Sequence, residues 1–145
     1  MFKHILLPTD GSSLSEAAIQ KGVQFAKSIG ARVTGFYVIQ PYHLFSPSAG
    51  MASDGKERWE ADSRTRAQDF LAAISKAAKE SGVTCDCVSE RGDHPYEAIV
   101  RAAEKRGCDL IMMASHGRRG VQALLIGSET NKVLTHTKIP VLVFR

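Results

Sequence analysis

Short apolar runs recur along the chain and alternate with longer amphipathic segments. Five of these runs have the length and the β-branched or aromatic content of buried strands, and they span residues 5–7, 33–39, 83–90, 110–114 and 141–144. Between them, apolar residues return at the spacing of about 3.6 that is typical of helices covering a core with one face. The pattern therefore predicts strands that alternate with helices.

Residues typical of helix ends delimit the helices. Ser13 and Glu16 have the spacing of a capping box, and Gly30 is placed to end the first helix in a left-handed conformation. Pro95 suits the first turn of the third helix, and Ser128 is a candidate cap for the fourth. The remaining end signals are Asp54, Glu57, Gly82 and Gly107.

This alternation predicts an α/β fold in one domain, residues 1–145. Because crossovers between parallel strands are right-handed, we expect a Rossmann-like, five-stranded parallel sheet in the order 3-2-1-4-5, with helices on both faces. In that order the chain reverses direction between strands 1 and 4, and ligands bind outside the carboxyl ends of those strands. The loops at this place are residues 8–11 and 115–118.

The segment after the fourth strand, ASHGRRGVQALLIGSET at residues 114–130, lies where this architecture makes a crevice. Glycines such as Gly117 and Gly127 let backbone N–H groups approach a phosphate, and the helix that follows adds unpaired donors and partial positive charge. Arg118 and Arg119 are available for ionic contacts. Two interpretations stay open on spacing alone: an anion-binding loop, or a surface turn with solvated arginines.

Composition narrows the function classes. The 145 residues are 43% hydrophobic and 23% charged, as in ordinary globular domains, and no stretch approaches the roughly 18 apolar residues of a membrane span. The first apolar run is too short for a signal peptide, so we expect a cytoplasmic protein that does not enter a membrane. The net charge of +4 is spread along the chain without aromatic-basic clusters, which argues against nucleic acid and suits a small anionic ligand.

The three cysteines, Cys85, Cys87 and Cys108, are expected to be reduced thiols. They cannot all pair with one another, and Cys85 and Cys87 point the same way from one strand. No matching Cys or His pair lies nearby in the sequence to complete the four ligands of a typical metal site. We therefore expect buried strand cysteines rather than a metal centre.

Four stretches together resemble the universal stress protein family over essentially the whole chain: ILLPTDGS near the start, VIQP after the second strand, SHG followed nine residues later by GS, and KIPVLVFR at the end. The nucleotide-binding members of that family carry the motif G-x-x-G, nine residues, then G-[S/T]. Matched by position, Ala114, Gly117, Gly127 and Ser128 stand in its places. The departure is Ala114, which adds a methyl group where the motif has its first glycine.

The resemblance implies that the crevice binds an adenine nucleotide, ATP or else AMP or ADP, together with Mg²⁺. It implies that Asp10 lies near the ribose or a phosphate-bound metal, and that Val38 lines the adenine pocket and offers backbone hydrogen bonds. The alternatives from residue type alone are a turn or N-cap residue for Asp10 and a core residue for Val38. The full expected set of nucleotide-binding residues is Pro8, Thr9, Asp10, Val38, Ala114, Ser115, His116, Gly117, Arg118, Gly127, Ser128 and Glu129.

Chemistry beyond binding has little support in the sequence. His116 is a candidate general base, but a crevice histidine can equally hydrogen-bond backbone or phosphate, and no second catalytic group is evident. No Walker lysine, Ser-His-Asp set or carboxylate pair can be picked out. The leading hypothesis is thus an ATP-binding regulatory protein of the stress response. The other hypotheses are a nucleotide-independent dimeric scaffold and a slow ATPase.

The last strand, residues 141–144, predicts a homodimer. In the order 3-2-1-4-5 it lies at the sheet edge, where unpaired backbone groups favour pairing with another strand. Pairing with the same strand of a second subunit about a two-fold axis is antiparallel and self-complementary, and members of the resembled family commonly dimerise in this way. The alternative is an edge covered by the irregular loop expected at residues 40–55.

Overall fold

Strands and helices alternate along the parts of the chain that the structure, a computed structural model, describes: residues 1–42, 53–117 and 126–145. The strands are β1 (His4–Thr9), β2 (Arg32–Ile39), β3 (Cys85–Arg91), β4 (Leu110–Ala114) and β5 (Val141–Phe144). The helices are α1 (Ser13–Ile29), α2 (Ser53–Ser81), α3 (Pro95–Lys105) and α4 (Ser128–His136). Within the described residues, none of the helices combines the length and the apolar character needed to span a membrane.

The strands form one parallel sheet in the order β3-β2-β1-β4-β5, which confirms the predicted topology. β1 lies at the centre and pairs with β2 on one side and β4 on the other. The chain therefore changes its direction of winding between β1 and β4. The loops that leave these two strands, after Thr9 and after Ala114, start at the same edge of the sheet.

Two helices cover each face of the sheet, as predicted. On one face α1 and α2 pack on strand residues that include Ile5 and Leu7. On the other face α3 and α4 pack on Leu6, Phe36 and Ile111. Residues of β1 alternate between the two cores because successive side chains of a strand point to opposite faces. Each fully buried side chain of this kind stabilises the fold by about 1.5–3 kcal/mol relative to its exposed state.

Helix ends follow the predicted chemistry but not always at the predicted residue. The N-cap of α1 is Ser12, whose side chain accepts a hydrogen bond from a backbone N–H of the first turn, and not Ser13. Gly30 ends α1 with φ 69°, in the left-handed conformation predicted for it. The N-cap of α4 is Gly127, so Ser128 is the first helical residue and not the cap. Each error is one residue, because serine at the N-cap and serine at the first helical position leave similar sequence patterns.

β3 begins later and is more exposed than predicted. Gly82 turns the chain with φ 72°, and the Val83 N–H then donates to a carbonyl of α2 at 2.8 Å. Val83 is therefore bonded to the end of α2 and is not part of the strand. β3 is the outermost strand, and α2 covers its side chains only in part. Cys87 is exposed and Cys85 is half-buried, so the expectation of buried strand cysteines is wrong for this pair, whereas Cys108 is buried. All three are free thiols.

Candidate binding crevice

A cavity of about 370 Å³ opens at the carboxyl ends of β1 and β4, between the loops that follow them. This is the predicted position of the crevice, and the volume is within the range of small-molecule sites. Ser115 is buried with 1% of its surface exposed and does not line the cavity, and Arg118 lies outside the described residues. The predicted residues that do line it are Pro8, Thr9, Asp10, Val38, Ala114, His116, Gly117, Gly127, Ser128 and Glu129.

The loop after β1 is held by side-chain to backbone hydrogen bonds. Thr9 Oγ1 accepts a hydrogen bond from the Gly11 N–H at 3.1 Å, and Asp10 Oδ1 accepts one from the Ser12 N–H at 3.0 Å. Gly11 has φ 78°, and the ring of Phe70 fills the place that a side chain there would occupy. The expectation of a turn role for Asp10 is therefore correct. The same hydrogen bond fixes the carboxylate where it lines the cavity.

The two loops meet where Asp10 faces Gly117. A Cβ at Gly117 would collide with Asp10 Oδ2, so only glycine lets this carboxylate lie against the backbone of the second loop. Gly117 is not among the residues with positive φ, which means that the backbone conformation itself does not require glycine here. Gly117, the first motif glycine that this chain retains, is therefore favoured because a side chain there would collide with Asp10.

The second loop is anchored to the sheet at its start. The Ser115 N–H donates to Phe144 O of β5 at 2.6 Å, and the Thr130 hydroxyl of α4 donates to Ala114 O at 3.0 Å. The Ser115 hydroxyl lies 2.8 Å from Nδ1 of His116, which orients the imidazole. Ser115 therefore acts as a buried positioning residue behind the cavity wall.

Gly127 closes the second loop against its own beginning. Its N–H donates to Ser115 O at 2.7 Å, and a Cβ at this position would lie 3.0 Å from that oxygen and 3.3 Å from His116 Cα. Optimal contacts between carbon atoms are about 3.5–4.0 Å, so a side chain here would force the two chain segments apart. The second retained motif glycine is required by this crossing.

α4 begins at the wall of the cavity, and its N-cap, Gly127, has no side chain that could cap the first backbone N–H groups. Backbone N–H groups at such a helix end carry partial positive charge and attract anions. Glu129 lies in this first turn, but its carboxylate accepts the Tyr96 N–H at 3.0 Å and pairs with Lys132 at 3.1 Å. The side chain of Glu129 therefore caps α3, and what it leaves toward the cavity is its backbone.

A further part of the cavity lining comes from the end of β2 and the start of α3. Val38 pairs with Glu90 of β3, packs partly on the core of the α3 face and lines the cavity, whereas its expected contact with adenine stays a prediction. Gln40 was missed, although a polar residue directly after a strand at this edge was an available signal. The other lining residues that sequence reasoning did not find are Ser15, Phe36, Tyr37, Pro95, Ile99, Met113 and Thr130.

The described residues offer no ready-made metal centre. Within them, no group of three or more His, Cys, Asp or Glu side chains is placed to hold an ion. Asp10 presents a carboxylate to the cavity, and Mg²⁺ is commonly bound by one or two carboxylates together with substrate phosphates. The donor set fits a cation that arrives with a phosphate ligand.

The sequence model of the universal stress protein family matches residues 1–145. The chain belongs to this family. It is 34% identical over 148 residues to the universal stress protein MJ0531 of Methanocaldococcus jannaschii, an alignment that covers 100% of this chain and 83% of that protein. The solved structure of MJ0577 from the same organism matches with a TM-score of 0.83 at 29% identity, covering 99% of this chain and 95% of the other.

A universal stress protein solved in complex with cAMP matches with a TM-score of 0.72 at 20% identity, covering 99% of this chain and 97% of that one. At this identity the likeness shows the fold alone. The family assignment confirms the resemblance that the sequence motifs indicated. In this universal stress protein the four motif positions, Ala114, Gly117, Gly127 and Ser128, all line one cavity.

Proposed function

We propose that this universal stress protein binds ATP with Mg²⁺ in the crevice, and that it acts in the stress response through this binding. The observation that carries the proposal is that the family's motif positions, Asp10 and Val38 line one cavity at the point where the sheet changes its direction of winding. The structural relative in complex with cAMP supports an adenine nucleotide as the ligand class.

The cavity lining has an apolar part and a part with backbone donors, which suit the base and the phosphates of a nucleotide. Val38, Ile99 and Met113 make the wall beside β2 and α3 apolar, which suits a purine base. Another part of the lining is the first turn of α4 at Ser128, where backbone donors suit phosphate oxygens. Asp10 lies on the wall of the same cavity and is the carboxylate proposed for the ribose or for Mg²⁺.

Ala114 is compatible with this proposal. It is the last residue of β4 and pairs with Phe144, and it is only 7% exposed, so its methyl group presents little surface to a ligand. No non-glycine residue in the described ranges has a positive φ, so alanine imposes no backbone strain here. The methyl group replaces the motif glycine without filling the crevice.

The proposed role is binding without efficient turnover. His116 is oriented by Ser115, but the described residues that line the cavity supply no clear second catalytic group. When Mg²⁺ is present it would neutralise phosphate charge, with Asp10 as its protein ligand. We expect phosphate release close to the uncatalysed background, and steady release that His116→Ala abolishes would establish the slow ATPase instead.

The first test is direct detection of the ligand. Mass spectrometry of small molecules released from the purified, denatured protein should find an adenine nucleotide, and calorimetric titration of the emptied protein with ATP and Mg²⁺ should give saturable heat. No released nucleotide together with no heat and no thermal shift at millimolar ATP would support the nucleotide-independent scaffold.

A charge substitution at the start of α4 tests whether the phosphates bind there. Ser128→Glu places a carboxylate on the exposed first residue of α4, where it should repel phosphate and lower ATP affinity about tenfold or more. The matched control is Ser13→Glu at the exposed first residue of α1, which does not line the crevice. Both changes favour their helix dipoles, so folding should be preserved in each. Equal affinities in the two variants would place the phosphates elsewhere.

We propose further that β5 forms a homodimer by antiparallel pairing with its copy. β5 is the outermost strand beside β4, and its four side chains, Val141 to Phe144, are all only partly buried. The loop expected at residues 40–55 was the alternative cover for this edge. Its described ends lie on the other side of the sheet, where the ring centroids of Tyr42 and Trp59 of α2 are 6.2 Å apart. Among the described residues, no strand pairs with the outer side of β5, which supports pairing with a second copy.

Light scattering tests the dimer. The wild-type chain should give about twice its mass, and the double variant Val141→Lys with Val143→Lys should shift toward the monomer. The control double variant, Ala72→Lys with Ala73→Lys, adds the same charge on an exposed part of α2. A wild-type monomer at tens of micromolar would contradict the proposal.

A further inference from the structure

Cys85 and Cys87 lie side by side on β3, away from the proposed nucleotide site. One residue separates them, so both side chains leave the same face of the strand, and their Sγ atoms are 3.9 Å apart. Cys87 is exposed and Cys85 is half-buried, which lets a small reagent in solution reach the pair. Neither residue lines the crevice.

The surroundings allow the two sulfurs to approach further. Gly35 of β2 lies opposite Cys87, and a Cβ there would be 3.0 Å from Cys87 Sγ, so the missing side chain leaves room for this sulfur. In the described part of the sheet β3 pairs with β2 alone, which lets its residues shift without disturbing a second strand. Residues two apart in a strand have Cα atoms roughly 6.6 Å apart, near the upper end of the range for disulfides, about 4.4–6.8 Å.

The contact between the sulfurs gives them different roles. The hydrogen bond with Cys87 lowers the pKa of Cys85, and it does so although burial acts in the opposite direction. The same contact, together with burial, raises the pKa of Cys87. Because the thiolate is the nucleophilic form, these directions favour Cys85 as the attacking thiol and Cys87 as the resolving thiol. Burial raises the pKa of Cys108 to about 11, so this third thiol is protected.

We propose that Cys85 and Cys87 are a peroxide-reactive dithiol that closes to a reversible disulfide within β3. The Cys85 thiolate attacks hydrogen peroxide: an S–O bond forms, the O–O bond breaks, and the departing hydroxide takes up a proton to become water. The Cys87 sulfur then attacks the Cys85 sulfenic sulfur, an S–S bond forms, and the hydroxyl leaves as water with the Cys87 proton. In sum, the two thiols lose two protons and two electrons, and one peroxide becomes two waters.

A metal site is the alternative use of such a pair. The described residues supply no third His, Cys, Asp or Glu side chain beside the two thiols to complete one. A disulfide needs only the two sulfurs, which must move from 3.9 Å to a bond length of about 2.05 Å. A bridge formed at the upper end of the allowed Cα separation is strained, so a dithiol reductant should reopen it readily.

The test uses the full chain, reduced, desalted and exposed to a small molar excess of hydrogen peroxide. Intact mass spectrometry under non-reducing conditions should show the loss of two hydrogens, and one of the three thiols should remain open to alkylation. Dithiothreitol should restore all three thiols. Cys85→Ser and Cys87→Ser should each abolish the loss, whereas Cys108→Ser should retain it.

Near-ultraviolet circular dichroism shows whether each serine variant keeps the native fold, and thermal unfolding gives a second check. A wild-type chain that gains oxygen atoms instead of losing hydrogens would overturn the proposal. So would disulfide-linked dimers as the main product, or a loss of two hydrogens that persists without Cys87. ATP binding does not enter the readout, so this test and that of the proposed nucleotide site fail independently.

Discussion

The two ends of the sheet each hold a cavity, and the two cavities are similar in size. The cavity at the carboxyl ends of the strands is about 370 Å³, and the one at the amino ends, lined in part by His4, Arg32 and Arg106, is about 320 Å³. Volume therefore does not distinguish them. The two cavities differ in what the polar groups around them are bonded to.

At the amino end, side chains from four parts of the chain are bonded to one another. Arg106 pairs with Asp86 Oδ2 at 2.8 Å, and Asp86 Oδ1 accepts the Thr34 hydroxyl at 2.8 Å. The Thr34 oxygen in turn lies 2.8 Å from His4 Nε2, which must donate because the single hydroxyl proton is already used. The Asp109 carboxylate accepts the backbone N–H groups of His4 and its neighbour. This end is organised to hold strands together.

At the carboxyl end, side-chain bonds fix the loops instead, through Asp10, Ser115 and Thr130, while α4 begins at the cavity with an N-cap, Gly127, that has no side chain. Buried polar groups that satisfy each other contribute stability, whereas oriented backbone donors at a helix end contribute binding. The comparison teaches that the amino end is structural and that the carboxyl end is the candidate site.

The largest expected effect comes from breaking the amino-end network at its centre. Thr34 is fully buried, and Thr34→Val keeps the shape while leaving His4 Nε2 and Asp86 Oδ1 without their partner. Urea denaturation should show a loss of about 2 kcal/mol, and ATP affinity should not change. The exposed control Thr84→Val should stay within about 0.5 kcal/mol of wild type. A changed ATP affinity with unchanged stability would reverse the comparison.

The next effect belongs to the carboxyl end. Gly127→Ala puts a Cβ 3.0 Å from Ser115 O, an oxygen that already accepts the Gly127 N–H, so the loop and the start of α4 must separate. We expect a stability loss of about 1 kcal/mol and an ATP affinity lower by about tenfold. Ser13→Ala, at the first residue of α1 and away from the crevice, is the control and should retain affinity. If both variants bind ATP like the wild type, the crossing at Gly127 does not shape the site.

These two regions also differ in how far the sequence predicted them. The crevice followed from strand order and from residues next to strand ends, so Asp10, His116, Gly117 and Gly127 were found in advance. The capping of α3 by Glu129 was not, because its partner Tyr96 lies 33 residues earlier in the chain. The spacing of neighbouring residues in the sequence does not predict a hydrogen bond between residues this far apart.

The amino-end network was missed for the same reason. Thr34 and Asp86 are 52 residues apart, and His4 and Thr34 are 30 apart, so the pattern of β1 and β2 indicated only that these positions lie in strands. Strand periodicity predicted the order of the sheet, but the exposure of Cys87 depended on how far α2 reaches along the outer strand.

A smaller effect is expected from pH, and it should involve the amino end alone. Burial, followed by the charge of Arg32, lowers the pKa of His4 below 6.5, although the nearby carboxylates of Asp86 and Asp109 oppose this. The unfolded chain therefore takes up a proton that the folded chain resists, and stability is lost as pH falls through about 6.5 toward the folded pKa.

Denaturation midpoints between pH 8 and pH 5 would measure this loss, and His4→Gln should remove it. At more acid pH a second loss is expected. Burial would raise the pKa of Asp109, but the backbone donors of His4 and Lys3 outweigh it and lower that pKa. Stability from this carboxylate is present above its unfolded pKa of about 3.9 and is lost as pH falls toward the folded value. A flat profile in wild type would contradict both assignments.

The smallest expected effect is at Ala114, where the chain departs from the family motif. Ala114→Gly removes a methyl group that is 7% exposed and leaves in place the carbonyl that accepts the Thr130 hydroxyl. Glycine in a strand costs about 0.5–1 kcal/mol of stability, and ATP affinity measured by calorimetry should be unchanged or raised. Ala114→Val, which enlarges the same side chain, should lower affinity. A clear loss of ATP binding in Ala114→Gly would mean that the methyl group supports the site, and that the carboxyl end depends on side-chain packing as the amino end depends on its buried polar contacts.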